Sequence, residues 1–236
     1  MRSLAPPWGL IWGKYEYEHI IIDNNSKDKT VEIVKKIAIK KKNLKIIVNT
    51  RNFGQSRSPF HALLQTKGDA VITMAADFQD PVELIKDYIK SWENGSRVTL
   101  GKNKNTQDKF FIRQLKKFYY ELIHTISEVK VPMHTTGSGI YDKKIIEIFR
   151  KIKDPYPYHR GLIAEIEDEI NFIEFARPER EKGSSKNSFL SLYNIGMMAI
   201  AKHSSVPLRM VIFLGFLSSL LSFVSGMIYL IYKILY

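Results

Sequence analysis

The sequence predicts an α/β fold followed by a C-terminal membrane-spanning helix, and three observations predict it. Short apolar runs alternate with segments of helical period, the pattern of a parallel sheet whose strands are joined by helices. Polar, acid-bearing clusters stand directly after two of those runs. Residues 210–232, MVIFLGFLSSLLSFVSGMIYLIY, carry no charged residue between Arg209 and Lys233, and roughly 20 apolar residues suffice to cross a bilayer.

Taken in order, residues 19–22 read as a buried strand ending at Asp23. Val31, Val34, Ile37 and Ala38 form a helical stripe, and residues 44–48 read as a second strand. A loop and a helix reach Gln65, and residues 70–74 read as a third strand. Asp80 followed by Pro81 has the chemistry of an N-cap and first helical position, because aspartate accepts free helix amides while proline needs no amide partner. The helix it opens runs to Trp92. Residues 98–101 read as a strand, and Ile112, Leu115, Phe118, Tyr119, Leu122, Ile123 and Ile126 line one helical face. After Phe175 the polar, basic stretch ARPEREKGSSKNS reads as a loop. A helix from about Phe189 to Ala201 then lies at the membrane interface and leads into the span. The organisation expected is an atypical segment over 1–16, the α/β domain over 17–178, a basic loop and interface helix over 179–206, and the transmembrane segment over 207–236.

At 236 residues and 27.4 kDa the chain has room for one domain of catalytic size plus an appendage. The absence of cysteine excludes a disulfide framework, a thiolate nucleophile and a cysteine zinc site. A net charge of +12 calls for an anionic partner, whether nucleic acid, anionic lipid or phosphorylated substrate. Nucleic acid is the reading with least support, since there is no recognition-helix motif, aromatic RNA platform or zinc finger, and it leaves the apolar span unexplained. Arg177, Arg180, Lys182, Lys186, Lys202 and Arg209 precede the span while Lys233 follows it. By the positive-inside rule the large domain faces the cytoplasm, as a single-pass membrane protein. Walker A loops and HExxH helices are absent.

Ligands of open α/β sheets bind at the carboxyl ends of strands, which directs attention to residues 23–30 (DNNSKDKT) and 75–80 (AADFQD). Each is also compatible with a capped turn. The stretch YEHIIIDNNSKDKT resembles the motif of glycosyltransferase family 2 in which a strand runs into Val-Asp-Asp-Gly-Ser-x-Asp-x-Thr. RNFGQSRSPFHALLQTKGDAVITMAADFQDP is similar to the Arg-Asn-x-Gly, helix, Gly-Asp, strand, Asp-x-Asp-x-Gln-Asp-Pro order of that family's polyprenyl-phosphate sugar transferases, the dolichol-phosphate mannose synthase type. REKGSSK is similar to their Arg-x-x-Gly-x-Ser-Lys. The resemblance runs from about Tyr17 onward.

The resemblance implies a GT-A (Rossmann-like) nucleotide-sugar transferase domain. It implies that Asp23, Asn25 and Asp77 bind the nucleotide-diphosphate sugar, and that Asp77, the catalytic candidate, ligates Mg²⁺ or Mn²⁺ together with Gln79. Hard oxygen ligands suit either ion, and such an ion neutralises a departing diphosphate. Arg180, Lys182 and Lys186 stand just before the interface helix, where the phosphate of a polyprenyl phosphate acceptor has to lie. Arg160, in YHRGL, matches an arginine common in the family and is the fourth candidate for the lipid phosphate; a surface salt bridge is its alternative. The expected reaction is sugar transfer from nucleotide to lipid phosphate with inversion, the protein being open to homo-oligomer formation.

The pattern also departs from the family. Ala75 replaces the first acid of Asp-x-Asp, Asn24 replaces the second acid of the first motif, and Gly137 stands where many relatives carry a candidate general base. Asp142 is close to that base in sequence but aligns with a structural position. A phosphate acceptor, with its second pKa near 6, is already an anionic nucleophile and does not need the base. Nothing in residues 1–16 resembles the family's first strand, and relatives often have a second membrane helix, so both ends read as truncated. The alternative function is therefore a non-catalytic membrane relative that keeps the fold and binds lipid phosphate or a partner.

Overall fold

The computed structural model describes residues 14–77, 79–104, 114, 121, 125, 131–132, 135–176, 178 and 189–236. The chain divides into one unit of residues 1–109 and 132–185 and a second of residues 110–131 and 186–236.

The first unit holds both sheets. β1 (His19–Asp23) and β2 (Leu44–Val48) pair in parallel, His19 opposite Leu44 and Asp23 opposite Val48, with α1 (Thr30–Lys40) as their crossover. α2 (Gly54–Leu64) leads to the second sheet, ordered β3-β5-β4-β6. Its strands are β3 (Ala70–Thr73), β4 (Val98–Asn103), β5 (Thr135–Asp142) and β6 (Ile170–Phe175). β5 runs antiparallel to both β3 and β4, while β4 and β6 are parallel. The wholly parallel sheet read from the sequence is thus a mixed one. Antiparallel β5 is inserted between β3 and β4, and the long stretch that separates β4 from β5 in sequence can return the chain in either sense.

The core follows the period of two. Val71, Val98, Leu100 and Tyr141 point to one face, where they pack with Phe60 and Leu63 of α2. Also on that face are Ile145, Ile146 and Phe149 of α4 (Lys143–Ile152) and Leu162 and Ile163 of α5 (His159–Ile166). Ile140 points to the other face, against Leu84 and Tyr88 of α3 (Leu84–Glu93) and Phe175. Each such side chain, fully buried, contributes about 1.5–3 kcal/mol. Asp142 caps α4, accepting the Lys144 amide at 2.9 Å, and its other oxygen takes the Trp92 indole N–H at 2.9 Å. That is the structural role expected of it.

α3 starts later than Asp80-Pro81 predicts. Pro81, Val82 and Glu83 form a tight turn in which the amides of Leu84, Ile85 and Lys86 bond to their three carbonyls at 3.1–3.2 Å, and the helix begins at Leu84. Asp80 is 2% exposed and does not cap the helix.

The second unit contains α6 (Phe189–His203) and α7 (Val206–Leu235). α7 is the one helix among the described residues long and apolar enough to cross a membrane, and none of its residues is buried within the protein. The helix expected over 112–126 lies outside the described residues, apart from the isolated positions 114, 121 and 125.

Candidate active site

β-branched isoleucines carry β1 to Asp23, whose side chain is 6% exposed and turns back on its own loop. Its Oδ2 accepts the Ser26 amide, three residues on, at 2.9 Å, a local side-chain-to-backbone bond that takes over from the strand ladder as the chain bends. Asn25 supplies the bend with φ 68°, a left-handed conformation that asparagine tolerates better than most residues. Its Oδ1 accepts Lys27 Nζ at 3.2 Å.

Asn24, read from the sequence only as a lost acid, organises the neighbouring loop. Its amide donates to Asn52 Oδ1 at 2.7 Å and to the Gly54 carbonyl at 3.3 Å. Its Oδ1 accepts from Asn49 Nδ2 at 3.1 Å and from the Phe53 amide at 2.9 Å. An aspartate has no donors for the first two bonds. The recurrence of asparagine at 24, 49 and 52, at the ends of two predicted strands, is the signal that points to this network.

The second cluster follows β3. Asp77 is partly buried in a turn and accepts the Gln79 amide at 3.3 Å. Gln79 Nε2 donates to the Pro178 carbonyl at 3.3 Å, which ties this turn to the chain leaving β6. Ala75 and Ala76 are exposed and bring no side-chain oxygen. Among the described residues no group of three histidine, cysteine or acidic side chains converges on a point that could hold a metal. A complete protein cage is therefore not the fit offered here. One carboxylate and one amide oxygen are of the donor chemistry that Mg²⁺ accepts when phosphate oxygens and water complete its shell.

Arg160 lies on α5 and donates to the Thr135 carbonyl at 2.8 Å, bracing the start of β5. Since Thr73, the last residue of β3, pairs with Gly139, residues 135–138 run on past the end of β3, where the chain turns toward Asp77. Gly137 is exposed there, and its carbonyl accepts the Thr73 hydroxyl at 3.1 Å. Below it Tyr88, Ser138 and Thr136 form a hydroxyl chain with links of 2.9 and 2.7 Å, ending on the Gly101 carbonyl at 3.3 Å. Burial and its acidic neighbours push the Tyr88 phenol up to about 12, so it stays protonated at neutral pH. The β4–β5 register shifts at Gly101, where an added Cβ would lie 2.5–2.8 Å from all three hydroxyls.

His159 stands beside Arg160 with its ring among Phe60, Tyr141 and Phe149 at centroid distances of 5.2–5.9 Å. The residue as a whole is partly exposed, but Nε2 is sealed from solvent and has no hydrogen-bond partner among the described residues. Burial, reinforced by the Arg160 charge, lowers its pKa to about 4.

Asp23 and Asn25 thus stand at the carboxyl end of β1, and Asp77 and Gln79 follow β3. Arg160 is tied to the strand beside β3. Arg180, Lys182 and Lys186 lie outside the described residues.

The family model described as Glycosyl transferase family 2 matches residues 10–170, and the chain belongs to that family. The glycosyltransferase YkcC of Bacillus subtilis (strain 168), itself uncharacterized, is 28% identical over 87% of this chain and 64% of its own length. The bactoprenol glucosyl transferase of Shigella phage SfX is 29% identical over 90% of this chain and 70% of its own length. The chain accordingly spans about two thirds of the length of these relatives. A mannosyltransferase from Pyrobaculum calidifontis, solved with GDP-Man and Mn²⁺, covers 86% of this chain and 71% of its own at 14% identity and a TM-score of 0.43.

Proposed function

We propose that the chain works at a membrane, transferring a sugar from a nucleotide-diphosphate sugar to a polyprenyl phosphate with inversion and with its α/β unit in the cytoplasm. The observation that carries this reading is a conjunction. The α/β unit of a family 2 glycosyltransferase is joined in one chain to a 30-residue apolar helix, and a relative similar over 90% of the chain is a bactoprenol glucosyl transferase. The excess of basic residues ahead of the helix supports the cytoplasmic placement.

In this reading Asp23 and Asn25 face the nucleoside, and Asp77 with Gln79 holds Mg²⁺ or Mn²⁺. The ion, when bound, neutralises charge on the leaving diphosphate. Arg160, Arg180, Lys182 and Lys186 hold the lipid phosphate, whose own negative charge makes it the nucleophile. The glycine at 137 is compatible with that acceptor, because a phosphate needs no general base where a sugar hydroxyl does.

The test is transfer of labelled sugar from a panel of nucleotide sugars to polyprenyl phosphate in membranes, with Mn²⁺ or with EDTA, for wild type and Asp77→Ala. The expected result is metal-dependent product that falls by two orders of magnitude or more in the variant. Absence of product with every donor, in membranes where a full-length relative is active, would favour the non-catalytic alternative.

A further inference from the structure

The arginines of the described α/β unit are of two kinds. Arg97 pairs with the buried Glu167 carboxylate at 2.9 Å, Arg150 donates to the Leu64 and Thr66 carbonyls, and Arg160 donates to Thr135. Arg51 and Arg57 spend no N–H on an acid or a carbonyl among the described residues. Both lie on aromatic rings instead. The Arg51 guanidinium is 4.7 Å and that of Arg57 5.3 Å from the centroid of Phe53, and Arg57 is also 4.6 Å from the centroid of Tyr156.

A ring against the flat face of a guanidinium holds it in place while leaving the N–H edge open, which is the edge that binds phosphate oxygens in a fork. The backbone that carries the ring is held, since the Phe53 amide donates to Asn24, whose side chain is fully used. Ordering long cationic side chains in advance removes an entropy cost that binding otherwise carries. The helix start beneath is not the site, because the Phe53 and Gly54 amides are taken by Asn24 and Asn52 at 2.9 and 2.8 Å.

We infer that Arg51 and Arg57, stacked on Phe53 and Tyr156, form a phosphate-binding clamp at the start of α2, beside the Asp23 turn. The ligand chemistry is a phosphate or diphosphate group, carried by a nucleoside diphosphate or by a lipid phosphate. Identification of those two sources rests on the proposed transferase reading; the anion site itself does not.

The experiment is calorimetric titration of pyrophosphate into the full chain in detergent micelles, in EDTA and at low ionic strength. Arg51→Gln and Arg57→Gln are each expected to weaken binding roughly 10-fold and the double variant to abolish it. Arg57→Lys should not restore it, because lysine lacks the fork. Lys36→Gln with Lys40→Gln removes the same charge from exposed α1 and should leave affinity unchanged. Equal affinity in wild type and the arginine double variant would overturn the clamp, as would equal loss in the lysine double variant. Competition then separates the sources: displacement by a nucleoside diphosphate assigns the clamp to the donor, and displacement by polyprenyl phosphate assigns it to the lipid. Displacement by neither overturns the assignment to a substrate phosphate. Asp77→Ala should keep pyrophosphate binding in EDTA, so loss of transfer and loss of the clamp are read independently.

Discussion

Val98, Tyr141 and Ile146 of the β3-β5-β4-β6 region are 0%, 2% and 1% exposed, whereas Ile33, Ile37 and Ile39 of α1 in the β1–β2 region are 54%, 43% and 84% exposed. Both regions have strands rich in β-branched residues, so composition does not explain the contrast. Layering does: the larger sheet is covered on both faces, by α2, α4 and α5 on one and α3 on the other. α1 has no buried residue. The loop around Asp23 and Asn24 therefore stands on the thinly packed part of the unit, and its order comes from the asparagine network rather than from apolar burial. Thinly packed segments open first in a native protein, so this loop is where local opening and ligand binding should be most strongly coupled.

Four experiments break or sharpen that contrast. Phe149→Ala, in the packed region, should cost about 3–5 kcal/mol, and Ile37→Ala no more than about 0.5 kcal/mol. Urea unfolding in micelles followed by tryptophan fluorescence reads both, and equal costs would erase the distinction. The next largest effect is acid. His159 is held neutral and so binds fewer protons folded than unfolded, making stability complete above about pH 6.5 and progressively lost as pH falls toward about 4. The loss should reach about 3 kcal/mol, and His159→Phe should flatten that slope; an unchanged slope would assign the acid sensitivity elsewhere. Gly101→Ala should cost about 1–3 kcal/mol through its clash with three hydroxyls, and Ser138→Ala in the same chain should recover part of it. Smallest is Asn24→Asp, about 1 kcal/mol. It should appear as faster hydrogen exchange at Gly54 with the larger sheet unaffected, and global destabilisation would contradict a local role.

Much of this architecture was legible in the residues. The strands at 19–22, 44–48, 70–74 and 98–101 are found within one or two residues of those bounds, because apolar runs bounded by turn chemistry leave little choice. The direction of β5 was not legible, since its pairing is decided by a long connection and not by local pattern. Asp80 misled because aspartate before proline signals a cap only when the helix starts at once, and here a turn intervenes. At the candidate site the family motif located Asp23 and Asp77. It could not show that Asn24 is a hub, that Tyr88 and Ser138 meet across the sheet, or that Arg51 and Arg57 share one ring. The first two are contacts between residues distant in sequence, with no periodicity to announce them, and the third is local but depends on side-chain conformation.

The length of α7 has a consequence for the bilayer it would enter. Its uncharged stretch, residues 210–232, rises about 1.5 Å per residue to roughly 34 Å, against a hydrocarbon thickness of about 30 Å. The excess is absorbed by a tilt of roughly 30° or by local thickening of the lipid, each costing fractions of a kcal/mol per Å. Tyr229 and Tyr232, with Lys233 between them and Tyr236, lie where aromatic and basic side chains anchor a helix in the headgroup layer. Once in a bilayer, a helix so proportioned would be matched best by a thick one, and lipid chain length would then act on the whole molecule through α7.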